Sequence, residues 1–351
     1  MISTASQLKK ILPEITRVDR VAIDTEADSL HCYREKLCLL QVSVPAGDYI
    51  VDPLAGLDLT DLVKALQEKV IVVQGADFDL RLLRRNLQFK ASRIFDTVIA
   101  ARLLGLREFS LAALVQRYCG IELAKGSQKA NWAQRPLPQR MLEYAINDTH
   151  YLLPLAEKME AELREAGRWA WFEQSCARAL EQSLIDRTRD ADEAWRIAGS
   201  GKLRGKAAAV LRELWKWRER EAEAADRPPF HIFQNSELLR SAERFAAGET
   251  PDFRHFSARR RQNFREAAKA ALEMREEEWP VYKRRSGSRP TPAMVRRTEE
   301  LRKRRDKNTA ELGLDPSFVA SRSALEALAS DPTAAETLLA PWQRDLLDLH
   351  N

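Results

Sequence analysis

Cysteine is scarce in this chain. Four residues in 351, Cys32, Cys38, Cys119 and Cys176, lie scattered with no Cys-x-x-Cys pair. Such spacing supports neither a thiolate zinc site nor a disulfide framework, and it points to a reducing, cytoplasmic setting. Long apolar stretches are also missing. No run of about 18 apolar residues occurs, which excludes a membrane-spanning helix. The first 20 residues are polar and amphipathic and lack the apolar core of a signal peptide. Neither sign of charge dominates: 57 basic and 52 acidic side chains give a net charge of +5. The excess is local. Residues 1–165 carry 22 of each sign, and the remaining 186 carry 35 basic and 30 acidic. Within 283–307 the count is 11 basic to 3 acidic. A neutral half is joined to one that prefers polyanions.

At 351 residues the chain suits two or three domains. Its Arg, Glu, Ala and Leu content favours helix. Residues 6–12 predict an amphipathic helix ended by Pro13. Strands are predicted at 21–24, at the nearly continuous apolar run 37–44, and at 49–51 after Pro45-Ala46-Gly47-Asp48, a succession that suggests a meander. A helix at 59–67 leads to a fourth, central strand at 70–74. Helical spacing then covers 77–86, 96–104, 111–119 and 138–164. The expectation is an α/β domain over 1–165, a mixed sheet flanked by helices. Beyond residue 166 the strands stop, and Trp195, Trp215 and Trp217 fall in helical patterns as core residues.

The stretch Val21-Ala22-Ile23-Asp24-Thr25-Glu26 carries the first chemistry. In a strand, a period of two puts Asp24 and Glu26 on one face and Thr25 on the other. Two like charges on one face of a buried strand repel, and a cation between them offsets the cost. Asp77 and Asp79 open a helix, where residues two apart do not share a face, so one of them points into a site. Tyr144 and Asp148 stand four apart, one helical turn from each other on a single face. His150 faces elsewhere, in a surface or packing role.

These three segments resemble the Exo I, II and III motifs of the DEDD 3′–5′ exonucleases that carry a tyrosine in the third motif, whose fold is RNase H-like. The resemblance is nearest to the ribonuclease D family. It runs through Lys125-Gly126-Ser127-Gln128-Lys129-Ala130-Asn131-Trp132 and Arg135-Pro136-Leu137, and covers nearly all of 1–165. Gln74 stands where relatives often have histidine, and Ala27-Asp28 where they often have an aromatic. The resemblance implies that Asp24, Glu26, Asp79 and Asp148 bind two divalent ions, Mg²⁺ or Mn²⁺. Carboxylates are the hard oxygen donors such ions take. Two ions about 4 Å apart can hold both the attacking and the leaving oxygen of a phosphodiester displacement. A phenol titrates near about pH 10, so Tyr144 is assigned to orienting the water.

Further on, 211–222, 226–232 and 235–239 resemble an HRDC domain, placed at 206–282 after a helical connector at 166–205. A second HRDC-like module is expected at 293–351. Arg254, Arg259, Arg260, Arg261 and Arg265 form the most basic cluster of the first module, and with Lys125 and Gln128 they are the expected nucleic-acid contacts. The whole reads as a 3′–5′ exoribonuclease that trims single-stranded 3′ ends of tRNA precursors and other structured RNAs, releasing nucleoside 5′-monophosphates, with no membrane or obligate protein partner. A DNA-directed exonuclease would carry the same four acids. A binding protein with a dead nuclease fold is disfavoured, because all four and Tyr144 are present.

Overall fold

Strand β1 (Arg20–Ala27) sits at the centre of a five-stranded sheet of order β3-β2-β1-β4-β5. In the computed structural model, which describes residues 1–124, 126, 129–185, 190, 192–251, 253–281 and 290–349, β2 (Leu37–Val44) and β3 (Gly47–Val51) extend β1 as an antiparallel meander. On its other side β4 (Val70–Val73) and β5 (Arg93–Asp96) run parallel. All eight residues of β2 are buried, as its apolar run predicts.

The helices of this part are α1 (Ala5–Thr16), α2 (Thr60–Gln67), α3 (Asp77–Leu87), α4 (Thr97–Leu103), α5 (Leu111–Cys119), α6 (Gln139–His150), α7 (Leu152–Glu165) and α8 (Trp169–Ser183). Helices α2 and α3 are the crossovers that parallel neighbours require. Three details depart from the sequence reading. Helix α1 runs through Pro13 because Leu8, Ile11 and Ile15 form one buried stripe, and that burial outweighs the single lost N–H. Strand β5 has four residues, too few for a period to show. The helix expected over 138–164 breaks at Tyr151, and Pro154 falls in the first turn of α7, where an N–H has no intrahelical partner.

The chain forms two compact units: Met1–Ala27 with Lys36–Ile185 and Ser288–Asn351, and Asp28–Glu35 with Asp186–Gly287. The second is helical, with α9 (Gly205–Ala224), α10 (Pro229–Ile232), α11 (Asn235–Ala246) and α12 (Ala258–Leu272). Its core centres on Trp217, whose ring meets Phe264 at 4.8 Å and Phe256 at 5.5 Å. Trp195 is buried there too, and Trp215 packs against the same cluster. The short segment after β1 joins this unit, where Arg34 pairs with Glu223 at 2.6 Å.

The first unit is larger than the expected 1–165. Helix α8, read as a connector, packs on the sheet: Phe172 meets Phe95 of β5 at 4.6 Å. The C-terminal helices α13 (Pro292–Leu312), α14 (Pro316–Val319), α15 (Arg322–Ser330), α16 (Ala335–Leu338) and α17 (Pro341–Leu346) belong to it as well. The buried Trp342 ring stacks on Trp171 of α8 at 5.1 Å, and its Nε1–H donates to Ser175 Oγ at 2.9 Å. Arg168 donates to the carbonyls of Leu103 and Leu312 at 2.6 and 2.7 Å. Gly105 (φ +76°) comes so close to Gly313 that a Cβ there would lie 2.5 Å from the Gly313 carbonyl oxygen. A tail docked this closely stabilises the sheet unit. Trp342→Ala should therefore cost about 3–5 kcal/mol, the range for emptying a buried aromatic site. Urea unfolding of the full chain measures it, and a loss below about 1 kcal/mol would show the tail to be a separate body.

Candidate metal centre and active site

The period-two pattern of β1 brings Asp24 and Glu26 to one face, both half-buried. Helix α6 lies over that face. Its Met141 and Ala145 join Leu39 and Ile50 in a small apolar cluster. Two polar ties fix the helix to the β2–β3 hairpin. Ser43 Oγ donates to Thr149 Oγ1 at 2.7 Å, and His150 Nδ1 meets Asp48 Oδ2 at 2.7 Å. His150 thus takes a surface role, away from the acids. In this position α6 delivers Asp148: one carboxylate oxygen from each of Asp24, Glu26 and Asp148 lies within 4.8 Å of the others. The Tyr144 hydroxyl donates to the Asp148 carboxylate. The Tyr144 ring packs beside fully buried Trp132, centroids 6.1 Å apart.

Helix geometry selects between the two acids of α3. Asp77 is exposed and paired with Arg81 one turn on, and Asp79 is buried. Asp79 stands outside the group of three and accepts a hydrogen bond from Thr25 Oγ1. Its charge nonetheless acts on Asp24, Glu26 and Asp148. Thr25 does point away from Asp24 and Glu26, and what it points to is the fourth acid. Asp96, which sequence reasoning passed over, organises the approach to α3. Its carboxylate accepts from the N–H groups of Gly75 at 3.1 Å, Ala76 at 2.8 Å and Val98 at 2.8 Å, pinning the turn before α3 to the start of α4. An Asp before an apolar helix is an ordinary N-cap signal. The tie back to residues 75 and 76 has no local signature. Gln74 is equally occupied, donating to the Phe109 carbonyl at 2.8 Å.

Burial and mutual repulsion set the electrostatics. Burial, then the charges of Asp79, Asp148 and Glu26, hold the Asp24 carboxyl well above the carboxylate range. Burial with Asp148 and Asp79 pushes Glu26 up to about 9. Burial raises Asp148 to about 7 against the pull of the Tyr144 hydrogen bond, and raises Asp79 to about 6 against that of Thr25. Four acids in this state are a poor anion cluster and a good cation site. The donor set is all hard oxygen, and the pKa shifts are those a divalent ion would reverse. The residues fit the ion.

The five arginines of the helical unit that are expected to contact nucleic acid are engaged in different ways. Lys125 and Gln128 lie outside the described residues. Arg260 is spent internally, donating to Glu221 Oε2 at 3.1 Å. Arg261 donates to the Arg254 carbonyl at 3.2 Å, and Arg265 lies over the Phe253 ring at 5.2 Å. Arg259 is largely exposed. Arg254 lines a polar hollow of about 410 Å³ with Arg240, Arg244 and His255, residues that sequence reasoning did not select.

The pKa shifts fix how stability follows pH. A carboxyl with a raised folded pKa holds its proton where the unfolded chain has released it, so stability falls as pH rises through that window. For Glu26 the window runs from 4.5 to about 9. Metal-free protein should therefore melt at progressively lower temperature from about pH 5.5 to about pH 8.5. Mn²⁺, which needs ionised ligands, should raise the melting temperature far more at the upper end. Calorimetric scans with and without chelator read both trends, and a flat metal-free profile would remove the crowded-acid description.

Comparison with known proteins agrees with the geometry. Residues 1–164 match the 3′–5′ exonuclease family and residues 207–247 the HRDC domain. The chain is 32% identical over 243 residues to ribonuclease D of Zymomonas mobilis, across 68% of this chain and 62% of that protein. It is 31% identical over 254 residues to the exosome complex component 10 homolog of Drosophila melanogaster, across 69% of this chain and 28% of that one. The chain thus spans less than two thirds of these relatives. Among solved structures, a Bifidobacterium adolescentis protein superimposes with TM-score 0.83 at 25% identity, over 99% of this chain and 94% of its own. Escherichia coli RNase D shares the fold, with TM-score 0.74 at 22% identity over 100% and 97%. By sequence and fold together, the chain belongs to the ribonuclease D-like 3′–5′ exonucleases, an RNase H-like catalytic part accompanied by an HRDC domain.

Proposed function

We propose that the protein is a metal-dependent 3′–5′ exoribonuclease that trims single-stranded 3′ ends of structured RNAs, tRNA precursors among them, releasing nucleoside 5′-monophosphates. The observation that carries this reading is the convergence of Asp24, Glu26 and Asp148 within 4.8 Å, with buried Asp79 beside them. Asp24, Glu26 and Asp148 would hold one divalent ion, and Asp79 would share a second with Asp24. Bound there, Mg²⁺ or Mn²⁺ supplies Lewis-acid polarisation of a phosphodiester and lowers the pKa of a bound water. The protein supplies the rest. Thr25 and Tyr144 fix the orientation of Asp79 and Asp148 by hydrogen bonds. The Tyr144 hydroxyl, one turn from Asp148, would orient the attacking water. The relatives named ribonuclease D support RNA as the substrate. The helical unit, with Arg240, Arg244 and Arg254 around a polar hollow, suits a phosphate backbone held by salt-sensitive, sequence-tolerant contacts. Arg261, which donates to the Arg254 carbonyl, and Arg265, over the Phe253 ring, lie nearby on α12, Arg259 sits on the same helix beside Glu221, and Lys125 and Gln128 are assigned to the same reading from the sequence.

Two measurements test the assignment. Asp24→Asn or Asp148→Asn should abolish cleavage of a 3′-tailed stem-loop RNA while leaving its binding intact, and near-normal turnover in either variant would refute the metal assignment. Tyr144→Phe should slow hydrolysis by about two orders of magnitude, the usual scale for one positioned proton-handling group. An unchanged kcat would remove Tyr144 from the mechanism. Run beside a matched DNA 3′ end, the same assay decides the sugar preference: RNA should be degraded faster, and equal or reversed rates would favour the DNA-directed reading.

A further inference from the structure

Strand β2 carries one polar side chain that the site described so far does not use. Gln41 is 0% exposed, and neither its Nε2 nor its Oε1 has a hydrogen-bond partner among the described residues. It is paired directly across from Asp24 in the β1–β2 register. Directly opposed residues of an antiparallel pair project from the same face, their Cβ atoms about 4.5–5.5 Å apart. Ser43, two residues along and on the same face, is bonded to Thr149 of α6. The Gln41 amide therefore lies on the face that α6 covers with Tyr144 and Asp148. Its neighbours in β2, Leu39, Leu40 and Val42, are apolar and buried, and a leucine or methionine would fill the same space. A fully buried amide left without partners destabilises a fold, and native interiors seldom contain one. Its place beside the acids gives a reason for its presence.

We infer that Gln41 is a positioning residue for the ion-binding acids: in the loaded site its Nε2–H group donates to the Asp24 carboxylate and turns the remaining oxygen lone pairs toward the ion. This rests on the reading of the acid cluster as a divalent-ion site. The chemistry is that of outer residues which hold metal ligands in place, where loss typically weakens metal affinity or activity about 10–100-fold.

The test uses the full chain and Mn²⁺ alone, titrated calorimetrically into metal-free protein. Gln41→Met keeps the length and volume of the side chain and removes both polar atoms. Its Mn²⁺ affinity should fall about 10–100-fold, while the melting temperature of the metal-free protein equals or exceeds that of the parent, because an unsatisfied amide has left the interior. A merely structural glutamine predicts the reverse, an altered melting temperature with Mn²⁺ binding unchanged. Gln41→Leu repeats the measurement with a different shape, so a folding failure of one variant leaves the other. Affinity within about twofold of the parent in a folded variant overturns the inference. A parent protein that takes up no Mn²⁺ overturns the ion-site reading itself, which separates the two failures.

Discussion

Crowding of like charge is the constraint on which this structure turns. Asp24, Glu26, Asp79 and Asp148 are brought together from β1, α3 and α6, and burial, joined by mutual repulsion at Asp24, Glu26 and Asp148, pushes every one of them above its ordinary range. Nothing in the packing of a sheet calls for such an arrangement. Each supporting interaction around it serves to hold an unfavourable group in place. Thr25 fixes Asp79, Tyr144 fixes Asp148, and Asp96 anchors the turn that starts α3. A pocket of this kind is tolerated because the remainder of the sheet is so thoroughly apolar: β2 is buried along its whole length, and Val21, Ala22 and Ile23 lead into Asp24 without a break. The strain is local and the support is global, the usual distribution at a functional site.

The two halves of the charge map fit this division. The acids repel phosphate wherever no cation intervenes, so affinity for a polyanion has to come from elsewhere in the chain. The helical unit offers cations, although internal pairing neutralises several of them. Arg218 and Arg260, for example, are paired with Glu219 and Glu221. Counting basic residues along the sequence therefore overstates what a ligand would meet. The arginines around the hollow between α11 and His255 are paired in the same way, Arg240 with Glu237 and Arg244 with Glu249.

Much of the site was legible in the sequence because short-range periodicity determines it. A strand's period of two forces Asp24 and Glu26 together, a helical turn joins Tyr144 to Asp148, and the exclusion of residues two apart separates Asp77 from Asp79. The meander and the crossover helices follow from apolar runs and turn residues in the same way. What escaped notice depends on tertiary contact. Strand β5 is too short to show a period. The ties from Asp96 to Gly75 and Ala76 span 21 and 20 residues. Helix α8 is amphipathic like any connecting helix until the aromatic face of Phe95 is seen against it. Gln41 offered a faint signal, a lone amide in an otherwise apolar strand, but its meaning appears only when the register sets it opposite Asp24.

The docked tail has a consequence for how the protein comes into being. The sheet unit is discontinuous: the Trp342 anchor against Trp171 is synthesised only after the entire helical unit. A nascent chain that has emerged through α8 therefore holds its acids in an incompletely buttressed scaffold. Full stability of the sheet unit therefore comes only after the helical unit has been synthesised.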